Sequence, residues 1–203
     1  MRRSIPLVRL GVVLIAVLVV WSAAVSGIAV TAPDRPAEGA AGEQASVSPV
    51  EQPQMDGLTE AQRQALTEGM EEDAEAFNAV MAAYKLPKGT EKEQAKRHAA
   101  TQRAMTHAAE VPLETAREVL RAMEIALTMT QKGNPNAVTD AASAVWLGMA
   151  ALQAAALNVR INATSIDDQE RARGWLDELD GLLTRADAIL AQAQATAVER
   201  GGL

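Results

Sequence analysis

GNPNAVTDAASAVWLGMAALQAAALNVRIN, residues 133–162, is the stretch whose reading decides the fold. Asn134 precedes Pro135 and is pushed out of the α region, and Gly133 punctuates whatever helix came before, so the stretch opens as a turn. Thr139 and Asp140 are both good N-caps, which starts a helix there. From Ala141 to Leu157 the only polar side chains are Ser143 and Gln153. A helix apolar nearly all round is one surrounded by others, so this is read as the central helix of its domain. Gly148 and the run Ala154, Ala155, Ala156 let neighbouring backbones come close. The helix closes on Asn158, Arg160 and Asn162, with the two asparagines four apart on one face.

The segments on either side are helical too. Leu58 to Tyr84 reads as one helix, with Thr59 and Gln62 as a capping box and Phe77, Val80, Met81 and Tyr84 as its buried stripe. It stops near Leu86 because Pro87 cannot continue it. Thr90 to Glu110 is a polar helix, and Pro112 suits the first turn of a new one, which runs to Lys132 with Leu113, Val119, Leu120, Met123 and Leu127 inward. After the central helix, Asp167 or Asp168 caps a long amphipathic helix carrying Trp175, Leu179, Leu182, Ala186 and Ile189 at helical spacing, ending near Gly201 and Gly202. About five helices with short loops and no strand signal predict an all-α antiparallel bundle over residues 58–203.

Composition agrees. The 203 residues include only five aromatics (Trp21, Trp146, Trp175, Phe77, Tyr84), so the core is built from Ala, Leu, Val and Met. There is no cysteine, which excludes disulfides and thiolate zinc sites. The net charge of −7 argues against nucleic acid as a partner, since phosphate neutralisation needs clustered Lys and Arg. His98 and His107 are nine apart, half a turn out of phase on one helix, and cannot share a metal, so no metal site is expected.

The N-terminus has a different character. After Arg2, Arg3 and Arg9, no charge appears from Leu10 to Ala32, a run of 23 residues against the ~20 that cross a bilayer. Residues 1–32 therefore read as a hydrophobic signal-anchor-like helix, with a cleavable signal peptide as the alternative and membrane association as the consequence. Residues 33–57, rich in Pro, Gly, Ala, Ser and Gln, read as a disordered linker.

EDAEAFNAVMAAYKLPKGT (72–90), AAEVPLETA (108–116), GNPNAVTD (133–140) and LNVRIN (157–162) occur in the order found in the cyclodeaminase/cyclohydrolase family, which the chain resembles from Leu58 onward. That family comprises the ammonia-releasing domain of formiminotransferase-cyclodeaminase and the stand-alone bacterial methenyltetrahydrofolate cyclohydrolases. The resemblance implies a cytoplasmic enzyme of one-carbon metabolism that interconverts 5,10-methenyltetrahydrofolate with its 10-formyl or 5-formimino form. It implies a folate substrate, no cofactor, and a homodimer formed through the central helices. The family's Gly-rich N-terminal segment has no counterpart before Leu58, so the alternative is a catalytically inactive, membrane-tethered helical module.

The same resemblance singles out residues. Asp140 is the candidate catalytic base for adding water to the electrophilic amidinium carbon, its ordinary alternative being an N-cap. Asn134, Asn136, Asn158 and Asn162 offer the paired donors and acceptors that suit a pterin edge, although Asn134 and Asn136 are also ordinary turn residues. Asp73 matches a family acidic position that lines the cleft, while its neighbours Glu71, Glu72 and Glu75 form a solvated face. Lys85, with Lys88, is placed to attract the anionic glutamate tail, the ordinary alternative being two solvated loop lysines. Asp140 and Asn158 are 18 residues apart, about 27 Å along one helix, so both serve one substrate only across two subunits in antiparallel register.

Overall fold

The computed structural model describes residues 52–202. They form α1 (Gln52–Tyr84), α2 (Glu91–Lys132), a 3₁₀ turn (Pro135–Ala137), α3 (Val138–Ala163) and α4 (Gln169–Gly201). Regular structure among these residues is helical throughout, as the periodicity predicts, but there are four helices rather than about five. The apolar run 10–32, with the membrane reading attached to it, and residues 33–51 of the expected linker lie outside the described residues.

The missing fifth helix is the consequence of Pro112. The polar segment and the apolar one merge into the single 42-residue α2, with Pro112 buried inside it. Its start is strongly specified: Thr90 accepts from Glu93 N, and Glu93 Oε2 accepts from Thr90 N and Gly89 N, both at 2.9 Å, a complete capping box. An internal proline leaves the carbonyl four residues earlier without a donor. Here that carbonyl belongs to Ala108, and Asn162 Nδ2 of α3 donates to it at 2.6 Å. A side chain from a neighbouring helix thus replaces the missing rung, and the helix continues.

α1 also begins earlier than expected. It starts at Gln52, with Pro53 in the first turn where a missing N–H costs nothing, so Thr59 is interior to the helix and residues 52–57 are helix instead of linker.

α2 organises the bundle, packing against α1, α3 and α4, whereas α1 rests chiefly on α2. The registers follow from individual contacts. A Cβ on Gly69 of α1 would stand 3.7 Å from Thr115 Oγ1 of α2 while Tyr84 OH of α1 lies 3.9 Å from Met105 Sδ, and Asn162 of α3 reaches Ala108 of α2 while Gly148 lies against Met123, so both neighbours run antiparallel to α2. α4 is parallel to α2: Arg117 pairs with Glu178 and Arg185 with Glu124, each 61 residues apart. Gly148 lets α3 close on α2, because a Cβ there would collide with the Met123 side chain. Leu113, Val119, Met123, Val145, Leu152, Val159 and Leu179 fill the core between these helices. Burying each large side chain contributes about 1.5–3 kcal/mol.

α3 departs from its expected role in one respect. It buries Ala142, Val145, Leu152, Ala156 and Val159 against α2 and α4, but its other side is bare. Trp146 is 45% exposed, Leu147 38%, Leu157 66% and Ile161 42%. The helix is therefore central in sequence and apolar all round, yet only half surrounded. By length and composition Pro135–Ala163 could cross a bilayer, but 44% of its most apolar window is buried among the other helices.

Candidate functional site

The candidate residues fall at two ends of the bundle. At one end α2 stops at Gly133, whose N–H donates to Met129 O at 2.8 Å. A Cβ here would stand 2.5 Å from that same oxygen, so the tight exit requires glycine. Arg200, in the last turn of α4, donates to Thr130 O and, at 2.8 Å, to Gly133 O. The guanidinium neutralises the partial negative charge of the α2 C-terminus and fixes where the next residues begin.

Those next residues are the asparagines. Asn134 Oδ1 accepts from Asn136 N at 3.0 Å, an Asx turn that caps the 3₁₀ segment, and both side chains are exposed. α3 then starts at Val138 with Ala137 in the cap position and no side-chain cap bond. Thr139 and Asp140 are not the N-caps their chemistry suggests, because the 3₁₀ turn already closes on Pro135 O and delivers the chain into helix two residues early. Asp140 is left in the first turn of α3, exposed, with its carboxylate uncommitted to capping.

At the other end stand Asp73, Asn158 and Asn162, with Lys85 exposed just past the end of α1. Asp73 lies on the stripe Leu66, Asp73, Ala76, Val80, Ala83 that α1 buries, and it is the one charged residue there. With Gly69 facing Thr115, antiparallel packing puts Asp73 level with Val111 and Pro112 of α2. Burial pushes its carboxyl up to about 6, since desolvation disfavours the charged form. Asn162 is buried and its amide nitrogen is committed to Ala108 O. Asn158 is half-buried and donates to Ala154 O of its own helix at 3.3 Å. The structure thus brings Asn134, Asn136 and Asp140 together, and Asp73, Asn158 and Asn162 at a common level, but it does not unite the two sets within one chain.

A cavity of about 290 Å³ opens between α1, α2 and α4, lined by Glu72, His107, Glu110, Glu114, Arg117 and Trp175. Arg117 is held there by bidentate bonds to Glu178 at 2.6 and 2.8 Å and by Glu114. Its pairing with Glu178 raises the guanidinium above its ordinary value and lowers the Glu178 carboxyl. His98 lies at the surface 3.3 Å from Asp167, and among the described residues no three His, Asp or Glu side chains come together as a metal site.

Two features of the site region escaped sequence reasoning. One is the Asn162–Ala108 bond, whose signal was the proline: a helical pattern through Pro112 demands a foreign donor for Ala108 O. The other is Glu118, buried beside Arg121 with Oε2 unpartnered, which has no distinguishing local pattern.

This architecture is that of a helical cyclodeaminase-type domain. The crystal structure of formiminotetrahydrofolate cyclodeaminase from Thermotoga maritima matches it with a TM-score of 0.65, covering 91% of this chain and 80% of that one, at 22% identity. At that identity the likeness establishes the fold. A profile of the formiminotransferase-cyclodeaminase family matches residues 43–181, beginning upstream of Leu58, and the chain belongs to that family. A methenyltetrahydrofolate cyclohydrolase from Methylorubrum extorquens is 44% identical over 131 residues, 64% of this chain and 63% of the relative, so slightly under two thirds of that relative's length is matched.

Proposed function

We propose that the protein is a folate one-carbon enzyme that hydrolyses, or in reverse forms, 5,10-methenyltetrahydrofolate, and that it works as a homodimer. The observation that carries this reading is the 44% identity to a methenyltetrahydrofolate cyclohydrolase over 131 residues. The fold-level likeness to a formiminotetrahydrofolate cyclodeaminase keeps ammonia release as the second reaction of the same site.

The chemistry asked of the residues is modest. Water adds through its oxygen to the amidinium carbon bridging N5 and N10, and a carboxylate takes the water's proton. Asp140, exposed and next to the asparagine turn, is the candidate base. The carbon–N5 bond then breaks, N5 takes up a proton, and 10-formyltetrahydrofolate leaves with one proton released overall. In the formimino reaction N10 attacks the formimino carbon and ammonia departs. Asn134 and Asn136 supply donors and acceptors for the pterin edge, Asn158 and Asn162, whose amide nitrogens are held by Ala154 O and Ala108 O, offer their Oδ1 acceptors from the opposite end of α3, and Lys85 draws the glutamate tail. Asp73 lines the cleft at the second end.

Loss of the near-ultraviolet absorbance of methenyltetrahydrofolate tests the reading. Asp140→Ala is expected to slow turnover at least about 100-fold, the scale of a lost general base, and Asn134→Ala to raise KM, while circular dichroism stays helical in both. Full activity in Asp140→Ala would remove Asp140 from the mechanism.

A further inference from the structure

The C-termini of α2 and α4 come to the same end of the bundle, because the two helices run parallel, and one side chain serves both. Arg200 sits in the last turn of α4, which closes on Gly202 at φ 66°, its N–H donating to Val198 O. From there the guanidinium donates to Thr130 O and, at 2.8 Å, to Gly133 O. A cation is favoured at this place because two helix C-termini turn their partial negative charge towards it. The two acceptors lie on either side of the helix exit. Thr130 is fully buried in the last turn of α2, whereas Gly133 is the residue from which Asn134 departs. A planar fork that holds both carbonyls fixes the direction the chain takes between them.

The turn that follows has little else to orient it. Asn136 N donates to Asn134 Oδ1 at 3.0 Å, Ala137 N to Asn134 O at 2.9 Å and Val138 N to Pro135 O. These bonds set the shape of the turn but not where it points. Residues 134–137 are all exposed, and besides α3, which continues from it, the turn rests on α4. The start of α3 is anchored separately, since Val138, Ala141 and Ala142 are buried. Asp140 therefore takes its place from the packing of α3, and the asparagines take theirs from Arg200.

We infer that Arg200 is the positioning residue of the asparagine turn, governing how tightly the pterin is held while the placement of Asp140 is left to α3. The inference rests on the proposed folate function and deepens it. Arg200 lies outside residues 43–181, so this support of the site comes from a part of the chain that the family match does not include.

Methenyltetrahydrofolate turnover by the full chain in mild detergent tests it through the split between KM and kcat. Arg200→Ala is expected to raise KM at least about tenfold, the scale of one hydrogen bond from a charged group, and to leave kcat within about threefold of the parent. Arg200→Lys should raise KM too, because a compact ammonium does not bridge two carbonyls as the fork does. In a chain already carrying Asn134→Ala and Asn136→Ala, adding Arg200→Ala should change KM less than about twofold, since Arg200 acts through those residues. Arg185→Ala removes the Arg185–Glu124 pair between the same two helices without touching the turn, and should leave KM unchanged. An unchanged KM in Arg200→Ala, a fall in kcat as large as the rise in KM, or full additivity with the asparagine changes would each overturn the inference.

Hydrogen exchange reads the same role without substrate. The amides of Asn136, Ala137 and Val138 should exchange faster in Arg200→Ala, while those of α3 beyond Val145 stay protected. Unchanged exchange in the turn would overturn the inference, as would faster exchange throughout α3 in both Arg200→Ala and Arg200→Lys, which would make Arg200 a general support of the fold. A parent chain that turns over no folate, together with faster exchange confined to the turn in Arg200→Ala, leaves the positioning role standing and removes the folate reading.

Discussion

Replacing Asp73 by asparagine should make the protein more stable and its stability less dependent on pH. Asp73 is 9% exposed, and burial raises its carboxyl from 3.8 to about 6. The folded state therefore holds a proton that the unfolded chain has lost between those values. With the folded value raised, stability falls as pH rises through this window, and above it the fold carries a desolvated charge costing roughly 3 kcal/mol, from 1.36 kcal/mol per unit. Asparagine keeps the shape without the charge. For a domain of this size about 1 kcal/mol corresponds to roughly 2–4 °C, so Asp73→Asn should melt about 6–12 °C higher than the parent at pH 8. At pH 4 the two should melt within about 2 °C. Thermal melts by circular dichroism at pH 4, 5, 6, 7 and 8 measure this directly. A difference that does not change with pH would refute the reasoning, because it would show that the carboxylate is not the source of the cost. If Asp73 also lines the folate cleft, the same variant loses activity while gaining stability, which a residue of structural role alone would not do.

Other substitutions probe the supports of the two ends. Asn162→Ala strips the donor from Ala108 O and should cost about 1–3 kcal/mol in urea unfolding; adding Pro112→Ala restores a backbone N–H and should recover most of it. Additivity of the two changes would contradict the link between them. Gly133→Ala, whose Cβ would sit 2.5 Å from Met129 O, should destabilise by more than about 1 kcal/mol and disturb the turn carrying Asn134. Thr90→Ala removes the capping box of α2 and should cost about 1 kcal/mol without changing folate kinetics.

How much of this was legible depends on the kind of signal. The helical character of the described chain was, since α1 and α4 carry clear 3.6-residue stripes and α3 is unmistakably apolar. Turn chemistry was legible where it is local: Asn134 before Pro135, and Asp168, whose side chain accepts from Arg171 N at 3.0 Å to cap α4. Reasoning failed where a local rule is overruled by a distant partner. Pro112 breaks a helix only if Ala108 O finds no donor, and Asn162, 54 residues away, supplies one. The bare stripe of α3 was invisible for a related reason, because an all-apolar helix looks the same whether its neighbours come from its own chain or another. The two ends of the candidate site were legible as sets, since the 18-residue separation of Asp140 and Asn158 already forbade a single pocket. The elevation of Asp73 was not, because its sequence neighbourhood is a run of exposed carboxylates and only α1's register buries that one.

The most direct test of the account is turnover by the full chain in mild detergent, with methenyltetrahydrofolate and formiminotetrahydrofolate offered in parallel. The account predicts hydrolysis of the methenyl compound, abolished in Asp140→Ala and recovered when Asp140→Ala and Asn158→Ala chains are mixed. No turnover of either compound by a chain that circular dichroism shows to be fully helical would contradict it.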